Sequence, residues 1–348
     1  MRFALTAEQI DFAASLRKMG EAAKTPGVVR AWGAGDSTAG KALLGQLAEA
    51  GALGLTITEE NGGFGAGPVE MIVAFTEIGR AAAPGPLVET AAAIPALLQA
   101  LPDSAAAAEW LPQLAEGAKL GTLAVAGPGR ASALSASGAP VALDADIADL
   151  ILLAEGDRVS IATAGEQAKS IDAARRLFPL TAAAVLAEGE GVSAAIDLAF
   201  DTAALAAAAQ LLGAGRALLD TSVEYVKQRQ QFGKPIGQYQ AIKHHLANVL
   251  IDLEMAQPLL YRAALTLQDD SDATIRARDI SAAKLACGEA AYRAARIALQ
   301  VHGAIGYTAE CDLSLWLTKV TALRSAWGTP DLHRARIAAA LRTAGTAA

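Results

Sequence analysis

Apolar and polar positions in the first third of the chain repeat with the three-to-four-residue period of amphipathic helices. Thr6, followed three residues later by Gln9, forms a capping-box pattern that predicts a helix over AEQIDFAASLRKMGEAA. Pro68, after the glycine-rich run GLTITEENGGFGAG, predicts a second helix start. Further helices are predicted over about 39–50, 88–100 and 105–117. We therefore expect residues 1–119 to form a helical domain.

Residues 120–200 have a different pattern, in which short apolar runs are separated by glycine, alanine and aspartate. The runs are LGTLAVAGPG, VALDADIADLILLAEGD, RVSIATAG and VSAAIDLAF, the last of which spans residues 192–200. Short runs bounded by such residues are typical of strands. The pattern predicts a small middle β domain, whose strand order it does not give.

From Asp201 onward the apolar positions return to helical spacing. Four long stretches are predicted to be helical, over about 203–230, 237–268, 272–303 and 312–344. Long helices joined by short loops pack as antiparallel bundles. Residues 201–348 are therefore predicted to form a C-terminal four-helix bundle, and the fold class is mainly α.

The composition argues against several classes of function. The 348 residues are 53% hydrophobic and 19% charged, and their net charge of −7 provides no basic surface for nucleic acid or a membrane. Cys287 and Cys311 belong to no CxxC or Cys/His cluster, and the four histidines lack metal-ligand spacing, so we expect no metal site. The N-terminus has no long apolar signal segment, which favours a cytoplasmic protein.

Two segments carry a resemblance to a known family. Residues 229–249 read RQQFGKPIGQYQAIKHHLANV, and residues 299–313 read LQVHGAIGYTAECDL. Together with the glycine-rich run before Pro68, which is followed by a helix ending in EIGR, they resemble the motifs of acyl-CoA dehydrogenases in order and spacing. The resemblance covers the whole chain unevenly. It implies helices, a middle β domain and a helical bundle, with FAD as cofactor and an acyl-CoA thioester as substrate.

The resemblance also implies where the chain contacts FAD. An arginine presents a forked, always-charged donor set to a pyrophosphate, and a phenylalanine presents a flat face to an adenine. In the family these positions reach across a dimer interface to the FAD of the neighbouring subunit. The implied cofactor-binding residues are Arg229, Gln231, Phe232, Gln300, Gly303, Ala304 and Gly306.

The same resemblance implies that the catalytic base is missing. Members of the family remove the substrate α-proton with a glutamate, placed either in a Y-E-G-T segment or near the start of the first bundle helix. This chain reads SAWGT over residues 325–329, so Trp327 stands at the first position, and Ala203 or its neighbour Ala204 stands at the second. Neither side chain can accept a proton. We expect no catalytic residue of this kind in the chain.

The contacts of the chain with a flavin of its own are predicted to be reduced as well. The family's T-E-P-G-A-G-S-D segment contacts the flavin ring, whereas this chain has Val125-Ala126-Gly127-Pro128-Gly129-Arg130. The family's W-I-T-N-G strand is missing. This asymmetry suggests the base-lacking half of an α2β2 enzyme, similar to short subunits of heterotetrameric acyl-CoA dehydrogenases. A catalytic paralogue would be its partner, and an electron-transfer flavoprotein would accept the electrons.

Two alternatives remain open from the sequence. The first is a self-sufficient homo-oligomeric flavoenzyme with a relocated base, for which Glu310, Asp312 and Asp331 are the candidates. The second is a relative without redox chemistry that binds an acyl-CoA or a protein.

Overall fold

A computed structural model of the chain describes residues 4–103, 105–127, 130, 139–269, 272–308 and 310–346. Pro128 and Gly129, which belong to the segment expected to have lost its flavin contacts, lie outside the described residues.

The N-terminal part is helical, as the sequence pattern predicts. The capping box is present, because Gln9 donates its backbone N–H to Thr6 Oγ1 and Thr6 donates its N–H to Gln9 Oε1. The helices are α1 (Ala7–Ala22), α2 (Thr25–Gly33), α3 (Thr38–Glu49), α4 (Pro68–Arg80), α5 (Ile94–Ala100) and α6 (Ala105–Ala115). The short helix α2 was not expected, since a helix of this length gives little periodic signal. The residues before α5, Glu89–Ala93, form a π-helical turn.

Five described strands form the sheet of the middle region. They are β1 (Gly121–Val125), β2 (Val141–Leu143), β3 (Leu150–Glu155), β4 (Arg158–Ala164) and β5 (Leu177–Glu188). Their order is β1-β3-β4-β5-β2, with β1 parallel to β3 and the other neighbours antiparallel. The Thr122 hydroxyl donates to the Leu143 carbonyl, which brings the two outer strands together.

One strand prediction is wrong. Residues 192–200, VSAAIDLAF, are the start of a helix, and Gly191 precedes it in the left-handed conformation. Val192, Ile196 and Phe200 are buried at intervals of four residues, which is the helical period, although Ile196, Leu198 and Phe200 also alternate as they would in a strand. The long strand β5 was missed because exposed alanines interrupt its apolar pattern.

The C-terminal part is a bundle of long helices. The helices are α7 (Val192–Gln228), α8 (Gln240–Gln268), α9 (Ala273–His302), α10 (Leu313–Ser325) and α11 (Pro330–Thr346). A hairpin of β6 (Gln230–Gln231) and β7 (Lys234–Pro235) joins α7 to α8. Helix α7 is long and apolar enough to cross a membrane by length and composition, but 78% of its most apolar window is buried inside the structure.

The fourth predicted stretch, 312–344, is two helices. Ala326 has extended dihedrals, and both Trp327 and Gly328 have positive φ, at 54° and 108°. Three consecutive non-helical residues end α10, and Pro330 starts α11 with a φ suited to a first helical turn. The break places Trp327 on a tight turn between two helices.

Helix α10 is attached to the N-terminal domain by hydrogen bonds to the end of α4. Trp316 Nε1–H donates to the Arg80 carbonyl at 2.9 Å, and Lys319 Nζ donates to the Ala82 carbonyl at 3.2 Å. Burial lowers the pKa of Lys319 to about 8. These bonds satisfy carbonyls that the helix itself leaves free. They fix the turn that carries Trp327 relative to the N-terminal domain.

The N-terminal domain and the bundle also meet at a close crossing of α4 and α7. A Cβ added at Gly213 would lie 1.8 Å from the Thr76 carbonyl oxygen, and one added at Gly79 would lie 2.1 Å from the Gln210 carbonyl oxygen. The two helix backbones can approach this closely only because both positions are glycine.

We predict that Gly213→Ala destabilises the protein by about 1–3 kcal/mol or more, because the added methyl group forces the helices apart. Urea unfolding followed by circular dichroism measures this change. Gly45→Ala, in α3 with nothing within 4 Å of the added carbon, is the control and is expected to be neutral or stabilising. Equal midpoints for the two variants would contradict the close crossing.

Candidate functional site

The first predicted cofactor motif lies on the hairpin after α7. Phe232 and Gly233 are its two turn residues, with φ of 52° and 81°, as a type I′ turn requires. The Phe232 ring is 91% exposed, and the Arg229 and Gln231 side chains are exposed as well. An aromatic ring held out in a conformation that is costly for a bulky residue is available to a ligand or partner.

Tyr239 packs against this hairpin. Its hydroxyl donates to the Gln231 carbonyl at 3.3 Å, and its ring meets that of Phe232 edge-on, with centroids 6.5 Å apart. Lys234 Nζ lies 4.3 Å from the centre of the Tyr239 ring. The Arg229 carbonyl accepts the Ile236 N–H at 2.8 Å and closes the base of the hairpin.

The second predicted motif lies at the end of α9. Gln300, Gly303 and Ala304 are exposed there, and Gly303 has the φ of 63° that lets the chain leave the helix. Gly306 is different, because it is buried and an added Cβ would lie 3.1–3.3 Å from Leu299, His302 and Leu313. Its role in this structure is close packing of the turn.

A stacked pair joins the two motifs. The rings of Tyr225 and His302 are 4.1 Å apart and inclined by 20°, and the Tyr225 hydroxyl lies 3.4 Å from the His302 carbonyl. Tyr225 precedes Arg229 by one helical turn and accepts its backbone N–H at 2.9 Å. His302 Nδ1 is 2.8 Å from the Ala298 carbonyl and must donate to it, and burial lowers the pKa of this imidazole. The seven predicted cofactor residues therefore lie at one end of the bundle.

That end has the chemistry of a dinucleotide-binding edge. It combines the always-charged guanidinium of Arg229, the side-chain amides of Gln231 and Gln300, and the exposed ring of Phe232. Guanidinium forks and amides donate to phosphates, and aromatic rings pack against bases.

The two expected base positions lie in the closed interior of the chain. Trp327 and Ala203 have no exposed surface. The Trp327 ring lies 6.4 Å from that of Phe200, which is one helical turn before Ala203 on α7. Both positions therefore have Phe200 as a neighbour, and neither side chain can accept a proton.

The Trp327 turn is held by a chain of hydrogen bonds. His333 Nε2 lies 3.1 Å from the Trp327 carbonyl, so it must be the donor, and His333 Nδ1 then accepts from Ser281 Oγ at 3.0 Å. Arg336 donates to the same hydroxyl oxygen at 3.3 Å. Burial lowers the pKa of His333 to about 3, so the imidazole stays neutral. A Cβ at Gly328 would lie 2.2 Å from His333 Nε2.

Two arginines also pack against the Phe200 ring. The guanidinium carbons of Arg130 and Arg336 lie 4.7 and 5.2 Å from the centre of its ring. Arg130 pairs with Asp197, and Arg336 pairs with Asp201 at 2.6 Å. Arg130 belongs to the segment that, by resemblance, would contact a flavin. In this chain its side chain packs instead against α7, where it contacts Asp197 and Phe200.

The acids proposed from the sequence as relocated bases lie at the surface. Glu310 is exposed. Asp312 is 50% exposed and pairs with Arg30, and Asp331 is 95% exposed and pairs with Arg334. None of these contacts involves Trp327 or Phe200.

Sequence reasoning missed the acid that does contact the interior. Glu89, on the π-helical turn, is 1% exposed, and its Oε1 accepts the Trp327 indole N–H at 3.2 Å. Burial raises the pKa of this carboxyl, against the opposing effects of the Arg175 charge, the indole and the Lys319 charge. The available signal was a single acid at the head of the apolar run ETAAAIPALL.

Within the described parts of the chain, no group of three or more His, Cys, Asp or Glu side chains could hold a metal ion. Cys287 is buried in the bundle, where burial raises the pKa of its thiol to about 12. It is therefore an unreactive packing residue.

Residues 6–118 match the acyl-CoA dehydrogenase N-terminal domain, and residues 189–342 match the acyl-CoA dehydrogenase C-terminal domain. The chain is 32% identical over 293 residues to the acyl-CoA dehydrogenase IpdE2 of Mycolicibacterium smegmatis, covering 84% of this chain and 85% of that protein.

Solved structures have the same fold. The "Tcur3481-Tcur3483 steroid ACAD G363A variant" superposes with a TM-score of 0.82 and 25% identity, covering 98% of this chain and 99% of that one. A glutaryl-CoA dehydrogenase of Mycobacterium smegmatis in complex with FADH2 gives a TM-score of 0.81 at 22% identity, covering 97% and 95% of the two chains.

We predict that Tyr225→Ala loosens both cofactor motifs together, because the stack with His302 joins them. Hydrogen–deuterium exchange should become faster in residues 229–236 and 300–307 of the variant. Tyr292→Ala, which removes a ring lying under the Arg324 guanidinium elsewhere on the bundle, is the control. Unchanged exchange in either segment of Tyr225→Ala would show that the stack does not join them.

Proposed function

Because the chain belongs to the acyl-CoA dehydrogenase family, we propose that it is the base-lacking subunit of a heteromeric, FAD-dependent acyl-CoA dehydrogenase. The family resemblance and the mainly helical fold predicted from the sequence are confirmed by the matching domains and superposed structures. In the proposal, a catalytic paralogue supplies the base, and this chain completes the FAD site of that paralogue.

One observation carries the proposal, which is the closed state of both base positions. A proton-abstracting group must reach the substrate α-carbon. Here Trp327 and Ala203 are fully buried, the Phe200 ring packs beside Trp327, and Arg130 and Arg336 pack against Phe200 in turn. A substrate would have to displace a packed interior to reach either position. The burial of these positions is consistent with the lack of a proton acceptor at each of them.

The exposed end of the bundle supports the other half of the proposal. Phe232 is 91% exposed apart from its edge-on contact with Tyr239, although it occupies a costly backbone conformation. Large apolar side chains also line one side of α8, where Ile251, Met255 and Leu259 are 57%, 70% and 41% exposed. Exposed apolar residues at helical spacing are typical of surfaces that pack against another subunit.

The comparisons support a heteromer and suggest a substrate class. The name of the similar steroid ACAD structure joins two components, Tcur3481 and Tcur3483. We extend this arrangement, and a steroid-linked acyl-CoA as substrate, to the proposed enzyme. An electron-transfer flavoprotein as acceptor and a cytoplasmic location remain predictions from the resemblance and the sequence.

The residues of this chain fit the proposed division of labour. Bound FAD would supply the acceptor for the hydride of the substrate β-carbon. Arg229 would pair with the pyrophosphate, Gln231 and Gln300 would donate to its oxygens, and Phe232 would pack against the adenine. The proton leaves to the paralogue's carboxylate, since this chain presents none at either base position.

The proposal predicts that the purified chain binds little FAD, whereas co-expression with a full-length paralogue yields a yellow, active complex. The flavin absorbance per polypeptide measures the difference. Stoichiometric FAD in the chain alone, with reduction of an artificial electron acceptor by an acyl-CoA, would contradict the proposal.

Within that complex, Arg229→Gln should weaken FAD binding by about tenfold to a hundredfold, since a hydrogen bond to a charged group contributes roughly 1.5–3 kcal/mol. Arg158→Gln removes an exposed arginine that pairs with Glu188 on the middle sheet, outside the bundle, and it serves as the matched control. Equal FAD affinity in both variants would remove Arg229 from the cofactor site.

A second candidate function is a self-sufficient flavoenzyme, and Glu89 is the observation that favours it. This carboxyl contacts the side chain at the expected base position, although it comes from the opposite domain. In that case the chain alone would turn over an acyl-CoA, and Glu89→Gln would abolish turnover. The indole that now covers the carboxyl makes this function second to the heteromer.

A further inference from the structure

Glu89 has a buried carboxyl to which the proposed function assigns no role. All five residues of its π-helical turn are buried, and such turns are frequent at functional sites. Its Oε1 receives the Trp327 indole N–H, while Oε2 is buried with no hydrogen-bond partner among the described residues. A buried carboxyl costs free energy unless it is paired, so this one requires an explanation.

The surrounding charges compensate the carboxyl only in part. Arg175, before β5, and Lys319, on α10, are the cations that act on it. Lys319 already donates to the carbonyls of Ala82 and Ala83. The indole N–H therefore supplies a neutral donor that the carboxyl needs, and Glu89 supplies the acceptor that a buried indole needs.

The contact has a consequence for position 327. A glutamate there would place a second carboxyl beside Glu89 in a space without solvent. Two carboxylates in contact cannot both be ionised, so one would have to remain protonated. A glutamine there would have nearly the same size and would lack that repulsion.

We propose that Glu89 is a positioning residue that holds the Trp327 indole and excludes a carboxylate from position 327. The pair, rather than Trp327 alone, keeps the chain without a base. The contact joins the N-terminal domain to the α10–α11 turn across 238 residues of sequence. The inference rests on this geometry and holds whether or not the chain works in a heteromer.

The test compares Trp327→Glu with Trp327→Gln in two backgrounds, one with Glu89 present and one with Glu89→Gln. The melting temperature of each full-chain variant is measured at pH 8 and at pH 5.5. Both substitutions lose the indole volume, so their difference isolates the charge. With Glu89 present, Trp327→Glu should melt at least about 5 °C below Trp327→Gln at pH 8. In the Glu89→Gln background this difference should largely disappear.

The pH dependence has a definite sign. The paired carboxyls of Trp327→Glu have a folded-state pKa above the unfolded value, so the folded state binds more protons. Stability is then present at low pH and is lost as the pH rises through the folded pKa. The melting temperature of Trp327→Glu should therefore increase, relative to Trp327→Gln, from pH 8 to pH 5.5. Arg175 and Lys319 reduce this effect and are unchanged in all four variants.

The single variant Glu89→Gln tests the positioning role. The amide oxygen still accepts from the indole, so the ¹⁵N–¹H indole signal of Trp327 should shift slightly and remain protected from exchange, whereas Glu89→Leu should lose that protection. If Trp327→Glu does not fold at pH 8, folding of Trp327→Glu/Glu89→Gln still supports the proposal. Equal melting of Trp327→Glu and Trp327→Gln in both backgrounds would overturn it.

Discussion

The indole of Trp327 donating to Glu89 is the contact on which the interior depends. Both groups are fully buried, and each would be costly to bury alone. The contact ties the N-terminal domain to the turn between α10 and α11. Around it, Phe200 fills the space beside the indole, and His333 holds the backbone of the turn. Closure of the space around Trp327 therefore depends on contacts from both the N-terminal domain and the bundle.

The exposed end of the bundle has the opposite character. Trp327 and Ala203, which stand where the resemblance implies a base, are fully buried, whereas the hairpin and the α9 turn present charged, amide and aromatic groups to solvent. The Tyr225–His302 stack connects the two helix ends that carry these outward groups. A chain built in this way can contribute to a cofactor site in another subunit while having no proton acceptor at either base position of its own.

Much of the fold follows from local pattern. The capping box at Thr6, the helix start at Pro68 and the long bundle helices are all present, because capping chemistry and helical periodicity act over a few residues. The error at residues 192–200 came from a short alanine-rich run, in which strand and helix spacing are hard to distinguish. The break at Ala326–Gly328 depends on tertiary contacts with His333, which no local pattern shows.

The site was predictable to the extent that motifs mark it. The residues placed at the cofactor edge by resemblance do lie at one end of the bundle, although Gly306 is buried there. Glu89, and the contact of Arg130 with Phe200, were missed because the partners, Trp327 and Phe200, are distant in sequence.

Exchange of the indole N–H in selectively ¹⁵N-tryptophan-labelled protein tests the closed interior most directly. We expect the Trp327 N–H to exchange only on global unfolding and to be unaffected by added butyryl-CoA. Exchange within minutes, or a shift of that signal with the ligand, would contradict the account.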